Sequence, residues 1–282
     1  MKMRLGRNPI VLGALRRVGK ILLRIAKPIY KLYELILWTQ ICCGPIPKHV
    51  AIIPDGNRRW ARLYGLDSKY GHSMGYEKLK EVLNWIWDLG VKVITIYAMS
   101  YENCLKRPKD EREHLLNLLS KAIDEFLSNG EIDRKKVRVK FFGRFNLIPD
   151  EIINKMRKLE EYSSKYKDRY LNIAVCYGGR QEIIDAVNKI IEDFKKGKIS
   201  SRLDENTFRK YLGISHLVNE EGLEEPDLVI RTSGELRISN FLLWQIAYSE
   251  LYFCDVYWPD FRKIDLWRAI RSYQKRERRF GK

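Results

Sequence analysis

Two features that would place this chain in a membrane or a secretory pathway are missing from its sequence. Charges recur too often between Val11 and Lys31 for a transmembrane span, which needs ~20 predominantly apolar residues. No small-residue cleavage site follows that segment to mark a signal peptide. The middle of the chain also lacks a linker rich in proline, glycine or serine, so its 282 residues favour one large domain over two.

Cysteine is scarce and shows no pattern. The five cysteines form neither a CxxC motif nor a cysteine–histidine spacing that would indicate a metal site. We therefore expect reduced, mostly buried thiols in a cytoplasmic protein. No histidine lies in a motif that would make one of them a catalytic nucleophile. The residues are Cys42, Cys43, Cys104, Cys176 and Cys254.

Acidic residues are outnumbered by basic ones. The chain has 53 Lys and Arg against 36 Asp and Glu, which gives a formal net charge of +17. Such a charge requires an anionic partner, and nucleic acid, a membrane surface and diphosphate substrates all qualify. An RNA-binding protein would need exposed aromatic residues among its basic ones and a recognisable nucleic-acid motif. No such motif is present, so we expect no nucleic-acid partner and keep RNA binding only as a competing hypothesis.

Basic residues are concentrated near the N-terminus. Residues 1–48 contain ten Lys or Arg against the single acid Glu34. Between Val11 and Lys31 the apolar residues fall at helical spacing and basic residues occupy the other face, which predicts a basic amphipathic helix. We assign residues 1–46 to this segment. Its functional interpretation is peripheral binding to the inner face of the cell membrane, and packing on the domain or on a partner helix is the alternative.

Residues 47–282 alternate between short apolar runs and longer amphipathic stretches. The apolar runs predict strands, and the periodic stretches between them predict helices. This alternation predicts an α/β fold, a single domain with a central, mostly parallel six-stranded sheet flanked by helices. Strands are expected at 49–53, 91–98, 137–142, 170–175, 228–231 and 251–256, and the main helices at 76–88, 112–127, 150–166, 181–195 and 264–279.

The most informative segment runs from His49 to Arg62 and reads HVAIIPDGNRRWAR. Its apolar run is typical of a strand buried on both faces of a parallel sheet, and the following Pro-Asp-Gly-Asn is strong turn punctuation. The turn therefore lies at the carboxyl end of a strand, where open α/β sheets hold their ligands. Asp55, followed by two arginines, predicts a magnesium diphosphate site. An ordinary Asp-Gly turn beside a basic helix start is the alternative.

Six further motifs follow, and with the first they resemble the signatures of the cis-prenyltransferases over about residues 47–281. This family comprises the Z-polyprenyl diphosphate synthases, including undecaprenyl and dehydrodolichyl diphosphate synthases. Arg58 and the GPIPK segment at 44–48 look more like archaeal and eukaryotic members than bacterial ones. The motifs are Gly71-His72, YAMSYEN at 97–103, Arg107-Pro108 with Glu111, YGGR at 177–180, DLVIRTSGELRISNFLLWQ at 227–245 and RERRFG at 276–281.

The resemblance implies a transferase that joins C4 of isopentenyl diphosphate to C1 of an allylic diphosphate. Farnesyl and geranylgeranyl diphosphate are the candidate allylic substrates, and we favour the second. Each step would expel diphosphate and lose a proton from C2, and fixed cations aimed at the departing oxygens would lower the barrier. Sequential cis-condensation would give a long-chain Z-polyprenyl diphosphate, the precursor of a glycosyl carrier lipid.

The resemblance also implies roles for individual residues. Asp55 and Glu250 would be the Mg²⁺ ligands, with Glu250 contributed near a dimer interface. Asp55, Ser100 and Asn103 would form the catalytic group, and because a neutral amide is a poor base, we expect Asn103 to orient substrate or relay a proton. The substrate-binding residues would be Gly56, Asn57, Arg58, Arg59, Trp60, His72, Ser100, Tyr101, Glu102, Arg107, Arg231, Arg237, Ile238 and Ser239.

The resemblance divides the diphosphate contacts between the two substrates. It assigns Arg231, Arg237 and Ser239 to isopentenyl diphosphate, and residues 56–59 with His72 mainly to the allylic diphosphate. Arginine suits both sites because its planar fork can donate two hydrogen bonds to a diphosphate. Surface salt bridges for the arginines and a structural role for His72 are the alternatives.

A set of apolar residues could line a tunnel for the growing chain, although most of them would serve equally well in the core. The resemblance places the small residue Ala98 near the allylic tail, so this position carries the most weight. The set comprises Trp60, Ala98, Leu115, Leu118, Leu119, Ile123, Phe141 and Phe142.

The last motif bears on assembly. Arg279-Phe280-Gly281 resembles the family's terminal motif, which reaches the partner subunit's diphosphate site and implies a homodimer. A non-catalytic scaffold subunit of a heteromeric prenyltransferase is the competing hypothesis, but such a subunit should lack the magnesium carboxylate, and Asp55 and Glu250 argue against it. Two departures, Ser68 in place of an arginine and Cys104 in place of an aromatic residue, bear on the choice of allylic substrate.

Overall fold

The computed structural model describes residues 28–199, 202–218 and 222–276. Most of the expected amphipathic helix at 11–31 lies outside the described residues, and so does the terminal motif at 279–281. Within the described ranges, no helix is long and apolar enough to cross a membrane.

Six strands form one sheet in the order β3-β4-β2-β1-β5-β6. All five pairings between these strands are parallel, so the predicted α/β class is confirmed and the sheet is parallel throughout. This order puts β1 between β2 and β5 at the centre of the sheet. The strands are β1 His49–Ile53, β2 Val93–Tyr97, β3 Val137–Phe142, β4 Arg169–Ala174, β5 Leu228–Arg231 and β6 Glu250–Phe253.

Helices flank the sheet. α1 spans residues 28–41, and short 3₁₀ segments follow β3, precede β5 and precede the last helix. The remaining helices are α2 Asn57–Leu63, α3 Ser68–Asp88, α4 Tyr101–Lys106, α5 Lys109–Ser128, α6 Glu131–Lys135, α7 Asp150–Ser163, α8 Gly179–Lys195, α9 Glu205–Arg209 and α10 Lys263–Gln274.

Alternation along β1 shows how the sheet divides the core. Val50 and Ile52 point into a large apolar cluster that also contains residues of α1, α3, α5, α7 and α10. Ala51 and Ile53 point to the opposite face, where they pack against Phe241 and other residues that follow β5. Because successive strand residues face opposite sides, an uninterrupted apolar run is what a strand buried on both faces requires.

α3 begins eight residues before its predicted start. Asp67 caps it, because its side chain accepts a hydrogen bond from Lys69 N. Gly71 lowers helix propensity in this first part, but a Cβ there would lie 2.2 Å from the carbonyl oxygen of Asn57. Close packing of α3 on α2 therefore requires a glycine at position 71. The same glycine made this part of the chain a weak candidate for a helix in the sequence-based prediction.

α1 packs on α10 at the edge of the main core. Leu37 and Ile41 are completely buried, and the rings of Trp38 and Trp267 lie 5.5 Å apart. The opposite face of α1 exposes Ile29, Leu32, Leu35 and Ile36. Residues 28–41 thus share the core of the domain on one side and present an apolar stripe on the other.

Candidate active site

The functional groups converge at the carboxyl edge of the sheet, as predicted. Asp55 follows β1, Ser100 follows β2, and Arg231 is the last residue of β5. Ser100 also forms an isolated parallel bridge with Tyr177, which follows β4. Because these strands are neighbours, their carboxyl ends bring residues from four distant parts of the chain to one place.

Asp55 is at the centre of this group. Its Oδ2 lies 2.8 Å from Arg231 Nη2 and 3.3 Å from Arg59 Nη2. The amide of Gly56 donates to its Oδ1 at 2.7 Å. Burial alone would raise the pKa of Asp55, but hydrogen bonding and charge from Arg231, with Arg59 adding to them, hold that pKa below its ordinary value. Asp55 is therefore an ionised carboxylate.

Gly56 is required by the backbone of this turn. Its φ is 106°, in the region that favours glycine, and a Cβ would lie 2.7 Å from the ring of Tyr257. The turn places the start of α2 directly after Asp55, so Asn57, Arg58 and Arg59 emerge beside the carboxylate.

Arg231 links Asp55 to the other residues assigned to isopentenyl diphosphate. Arg231 Nη1 donates to Ser239 Oγ at 2.7 Å and to the carbonyl oxygen of Arg237. The Arg237 side chain is paired with Glu235 at 2.5 Å, and Arg59 reaches the same carboxylate at 2.6 Å. Glu235 thus balances two arginines. Glu235 was not predicted as a site residue, although it lies within the motif that contains Arg231.

A second polar cluster joins α3 to the start of α5. His72 Nε2 lies 2.9 Å from Glu111 Oε1 and 3.1 Å from Arg107 Nη1. Arg107 Nη1 donates to Glu111 Oε1 at 2.7 Å, and Arg58 lies 3.7 Å from the same oxygen. Burial lowers the pKa of His72, and the charge of Arg107 lowers it further. The structure therefore brings together His72, Arg107 and Glu111, which the sequence placed in two separate motifs.

The loop after β2 carries the groups predicted to act in proton removal. Ser100 caps α4, because its Oγ accepts from Asn103 N at 3.0 Å. Glu102 accepts a hydrogen bond from Asn240 at 3.1 Å. Tyr101 is turned toward Arg144, whose guanidinium lies 5.0 Å from the centre of its ring. Ser100 therefore has a structural function in this loop, whatever its part in the chemistry.

A cavity of about 780 Å³ extends from this polar group under α3 and α5. Its polar end includes Asp55, Asn57, His72, Ser100, Glu102, Asn103, Arg107, Arg231 and Ser239. Its apolar walls include Leu79, Leu83, Trp87, Ala98, Leu115, Leu118, Leu119, Phe126, Leu171 and Ile173. The arrangement suits an amphiphile with an anionic head and a long apolar tail.

The tunnel prediction was right in part. Ala98, Leu115, Leu118 and Leu119 line the cavity. Ile123, Phe141 and Phe142 are buried core residues instead, and the Trp60 ring packs against Tyr64 and Tyr70. The opposite wall of the cavity lies on α3 and was not predicted; Leu79, Leu83 and Trp87 form it. Their spacing of four residues is a helical signal that could have revealed this wall.

Glu250 lies away from Asp55 within the chain. It pairs with Leu228 at the beginning of β5, whereas Arg231 pairs with Phe253. Three strand residues, or ~10 Å, therefore separate Glu250 from the carboxyl edge of the sheet, where Asp55 lies. Its carboxylate is ion-paired with Arg276. In the part of the chain that the structure covers, no three or more His, Cys, Asp or Glu side chains form a metal-binding group.

The cysteine prediction was wrong for one pair. Cys104 in α4 and Cys176 after β4 form a disulfide with an S–S distance of 1.98 Å. The sequence held no spacing signal because the two residues are 72 positions apart. Pairing of β2 with β4 brings α4 and the end of β4 together. Cys42, Cys43 and Cys254 are free thiols, but Cys42 and Cys43 are exposed and not buried as expected. The cysteines therefore no longer support a reducing compartment.

The chain is similar to a family of known proteins over most of its length. A family model described as "Putative undecaprenyl diphosphate synthase" matches residues 53–281. A tritrans,polycis-undecaprenyl-diphosphate synthase (GGDP specific) from Sulfolobus acidocaldarius is 52% identical over 258 residues, 91% of this chain and 96% of that protein. A geranylgeranyl-diphosphate-specific synthase from Methanopyrus kandleri is 52% identical over 269 residues, 95% of this chain and 97% of that protein.

Solved structures lead to the same family. Lavandulyl diphosphate synthase from Lavandula x intermedia, in complex with dimethylallyl diphosphate, matches with a TM-score of 0.77 and 34% identity, covering 84% of this chain and 99% of that one. A probable undecaprenyl diphosphate synthase from Campylobacter jejuni matches with a TM-score of 0.67 and 30% identity, covering 84% of this chain and 100% of that one. The chain therefore belongs to the undecaprenyl diphosphate synthase family of cis-prenyltransferases, and it is a transferase of the polyprenyl diphosphate synthase class.

Proposed function

We propose that this protein condenses isopentenyl diphosphate repeatedly onto geranylgeranyl diphosphate and releases a long-chain Z-polyprenyl diphosphate, the precursor of a glycosyl carrier lipid. One observation carries the proposal. A cluster of arginines around Asp55 opens directly into an apolar cavity of about 780 Å³. The choice of primer is supported by the similar proteins from Sulfolobus acidocaldarius and Methanopyrus kandleri, whose names specify geranylgeranyl diphosphate.

Asp55 fits a magnesium ion that is shared with substrate. Magnesium prefers hard oxygen ligands and is often held by one or two carboxylates, with water and substrate phosphates completing its shell. Asp55 is such a carboxylate, ionised, at the polar end of the cavity. Bound Mg²⁺ would supply positive charge to the diphosphate oxygens as they accept the electrons of the breaking bond.

The arginines and the Gly56 turn would hold the two diphosphates. Arg231 is buried and already fixed by Ser239, so its fork is oriented before a substrate arrives. Such preorganised donors are effective because they need little rearrangement as charge develops on the leaving group. We assign Arg231, Arg237 and Ser239 to isopentenyl diphosphate, and residues 56–59 with His72 to the allylic diphosphate.

Asn103 would orient the substrate near the carbon that loses its proton. It lines the polar end of the cavity, and its position on α4 is fixed by the Ser100 cap. The proton leaves C2 as the new double bond forms, and a diphosphate oxygen is the acceptor we favour over the neutral amide of Asn103.

We also propose that the protein is a homodimer with shared sites. Glu250 lies at the amino edge of the sheet, whereas Asp55 of the same chain lies at the carboxyl edge. A role for Glu250 in binding magnesium therefore requires a second copy of the chain. A second copy would also cover an exposed apolar stripe on α8, formed by Ile184, Val187, Ile191 and Phe194.

The protein would work in the cytoplasm, peripherally bound to the inner face of the cell membrane. The exposed stripe of α1 continues from a strongly basic N-terminal segment. Apolar insertion and attraction to anionic lipid would together hold the enzyme at the membrane.

A primer assay tests the proposed activity. Purified protein is incubated with radiolabelled isopentenyl diphosphate, magnesium and one primer at a time: dimethylallyl, geranyl, farnesyl or geranylgeranyl diphosphate. We expect geranylgeranyl diphosphate to give the highest kcat/KM and a long-chain product. Lack of elongation with every primer would refute the activity, whereas a preference for farnesyl diphosphate would refute only the choice of primer.

A further inference from the structure

Polar contacts join α3 and α5 at two places, on either side of the tail cavity. The first place is the start of α5, where His72 contacts Glu111, Ser73 contacts His114 and Lys69 pairs with Asp110. At the second place, Tyr76 Oη donates to Glu125 Oε2 at 2.6 Å, and Lys80 Nζ donates to the same oxygen at 3.3 Å. Glu111 and Glu125 are 14 residues apart, which is ~21 Å of helix. We call the group Tyr76, Lys80 and Glu125 the α3–α5 clasp.

The middle of α5 spans the cavity between these two places. Leu115, Leu118, Leu119 and Ala122 line the cavity there. All three clasp residues line it as well. An apolar chain that extends from the diphosphate end under α5 would therefore reach the clasp after passing the apolar part of the helix.

The clasp is connected to further charges on both helices. Lys80 also reaches Glu77 at 2.6 Å and lies 4.7 Å from the centre of the Tyr76 ring. Lys121, on α5, lies 3.6 Å from Glu125 and 5.6 Å from the centre of the same ring. Contacts from both sides therefore fix the Tyr76 ring and the Glu125 carboxylate in one arrangement.

Stability alone does not account for this group. The Lys80 and Glu125 side chains remain 38% and 33% exposed, and ion pairs at such positions contribute little to folding. They nevertheless occupy the wall of a largely apolar cavity, where a charge lowers the affinity for an apolar chain unless it remains paired. The feature that distinguishes the clasp is its position, because it ties together the two helices between which the chain must extend.

We propose that the α3–α5 clasp limits the length of the polyprenyl product by fixing the separation of the two helices around the tail. This proposal rests on the proposed function. As the chain lengthens, it must displace side chains or separate α3 from α5. An intact clasp resists that separation and favours release of the product, whereas a broken clasp permits further rounds of condensation.

The test compares product lengths of variants that keep the volume of each side chain. Tyr76→Phe removes the donated hydrogen bond, and Glu125→Gln removes the charge that Lys80 and Lys121 share. We expect each variant to shift the main product upward by at least one isoprene unit and to broaden the distribution. The double variant should add little, because both changes break the same contact.

Glu113→Gln is the matched control on the same helix. Glu113 forms an exposed ion pair with Lys109 at 3.8 Å and has a 58% exposed side chain. This variant should give the wild-type product distribution. Lys80→Met provides a further readout that leaves Tyr76 and Glu125 intact, and we expect a smaller upward shift.

The outcomes separate this proposal from the proposed function. Wild-type protein that elongates no primer would refute both. Active variants of Tyr76 and Glu125 with the wild-type product distribution would refute the clasp alone. A fall in melting temperature without a change in product length would show that these contacts only stabilise the fold, which would also overturn the proposal.

Discussion

Arg231 Nη2 lies 2.8 Å from Asp55 Oδ2, which joins the end of β5 to the turn that follows β1 across 176 positions of sequence. The Arg231 side chain is only 5% exposed, and its other terminal nitrogen is held by Ser239. A group assigned to isopentenyl diphosphate is thus in contact with the group assigned to magnesium. Binding of isopentenyl diphosphate and binding of magnesium are therefore expected to be coupled, because Arg231 and Asp55 are in direct contact.

The first prediction concerns Asp55. Asp55→Ala and the isosteric Asp55→Asn should reduce kcat by roughly 10³-fold, the upper range for loss of one preorganised electrostatic contact, while the protein remains folded. The reason is that neither variant can present an ionised carboxylate among the arginines. Steady-state kinetics with magnesium and thermal melting provide the measurements.

Asp168→Asn is the control for this loss. Asp168 forms an exposed ion pair with Lys136 at 3.8 Å, next to the start of β4, and should tolerate the change with unaltered kinetics. Near-normal turnover of Asp55→Asn with magnesium would contradict the assignment of Asp55.

The second prediction concerns the disulfide between Cys104 and Cys176. Cys104→Ser should lower the free energy of unfolding by up to about 4 kcal/mol, the loop-closure value for this separation. Denaturant unfolding measures the loss. Wild-type protein treated with a reductant should lose as much free energy of unfolding as the variant. Cys254→Ser, which changes a free thiol, should not show this loss. If the reductant has no effect on wild-type stability, the pair contributes only through packing.

The third prediction concerns product length. Ala98 lines the cavity beside the polar end, so Ala98→Leu should narrow the path of the tail and shorten the product. Product sizing after removal of the diphosphate provides the measurement. Ala98→Gly, which adds no volume, should not shorten the product. An unchanged distribution in a stable Ala98→Leu protein would place Ala98 away from the path of the chain.

The fourth prediction concerns sharing of the active site between subunits. An Asp55→Ala subunit and an Arg279→Ala subunit should each be inactive as homodimers. Mixed as a heterodimer, they should recover activity, because one of the two sites would then combine an intact Asp55 with an intact Arg279. Lack of recovery in a demonstrated heterodimer would argue against the shared arrangement.

The sequence predicted most reliably those features that depend on short segments. The strand 49–53 was predicted to the residue because an apolar run is bounded by strong turn residues. The same reasoning placed Asp55 and Arg231 at one edge of the sheet. The start of α3 was missed, since only the packing of Gly71 on Asn57 shows why a glycine belongs in that helix.

Pairs of residues that are distant in sequence could not be predicted. Cys104 and Cys176 are 72 positions apart, and Tyr76 and Glu125 are 49 positions apart. The cysteines show no recognisable spacing. A tyrosine or a glutamate on a helix is equally consistent with an exposed surface, so neither pair has a local sequence signature. Only the relative placement of β2, β4, α3 and α5 brings these side chains into contact.

The fifth prediction concerns the N-terminal segment. Removal of residues 1–27 should abolish binding to anionic liposomes but leave catalysis on soluble substrates largely intact. The removed segment contains most of the basic residues before position 48, and each contributes about 1 kcal/mol near an anionic surface. Flotation of both proteins with liposomes at low and high salt provides the measurement.

The position of the truncation decides what this experiment can show. Removal of residues 1–44 would also delete Leu37 and Ile41, which are completely buried against the core. Such a variant could lose liposome binding only because its fold is destabilised, so it would not test the membrane role of the segment. Leu32→Glu with Leu35→Glu is a second variant that changes only the exposed face of α1 and should weaken flotation of the full chain. If the full chain itself stays with the soluble fraction at low salt, the segment is better explained as a packing or partner-binding element.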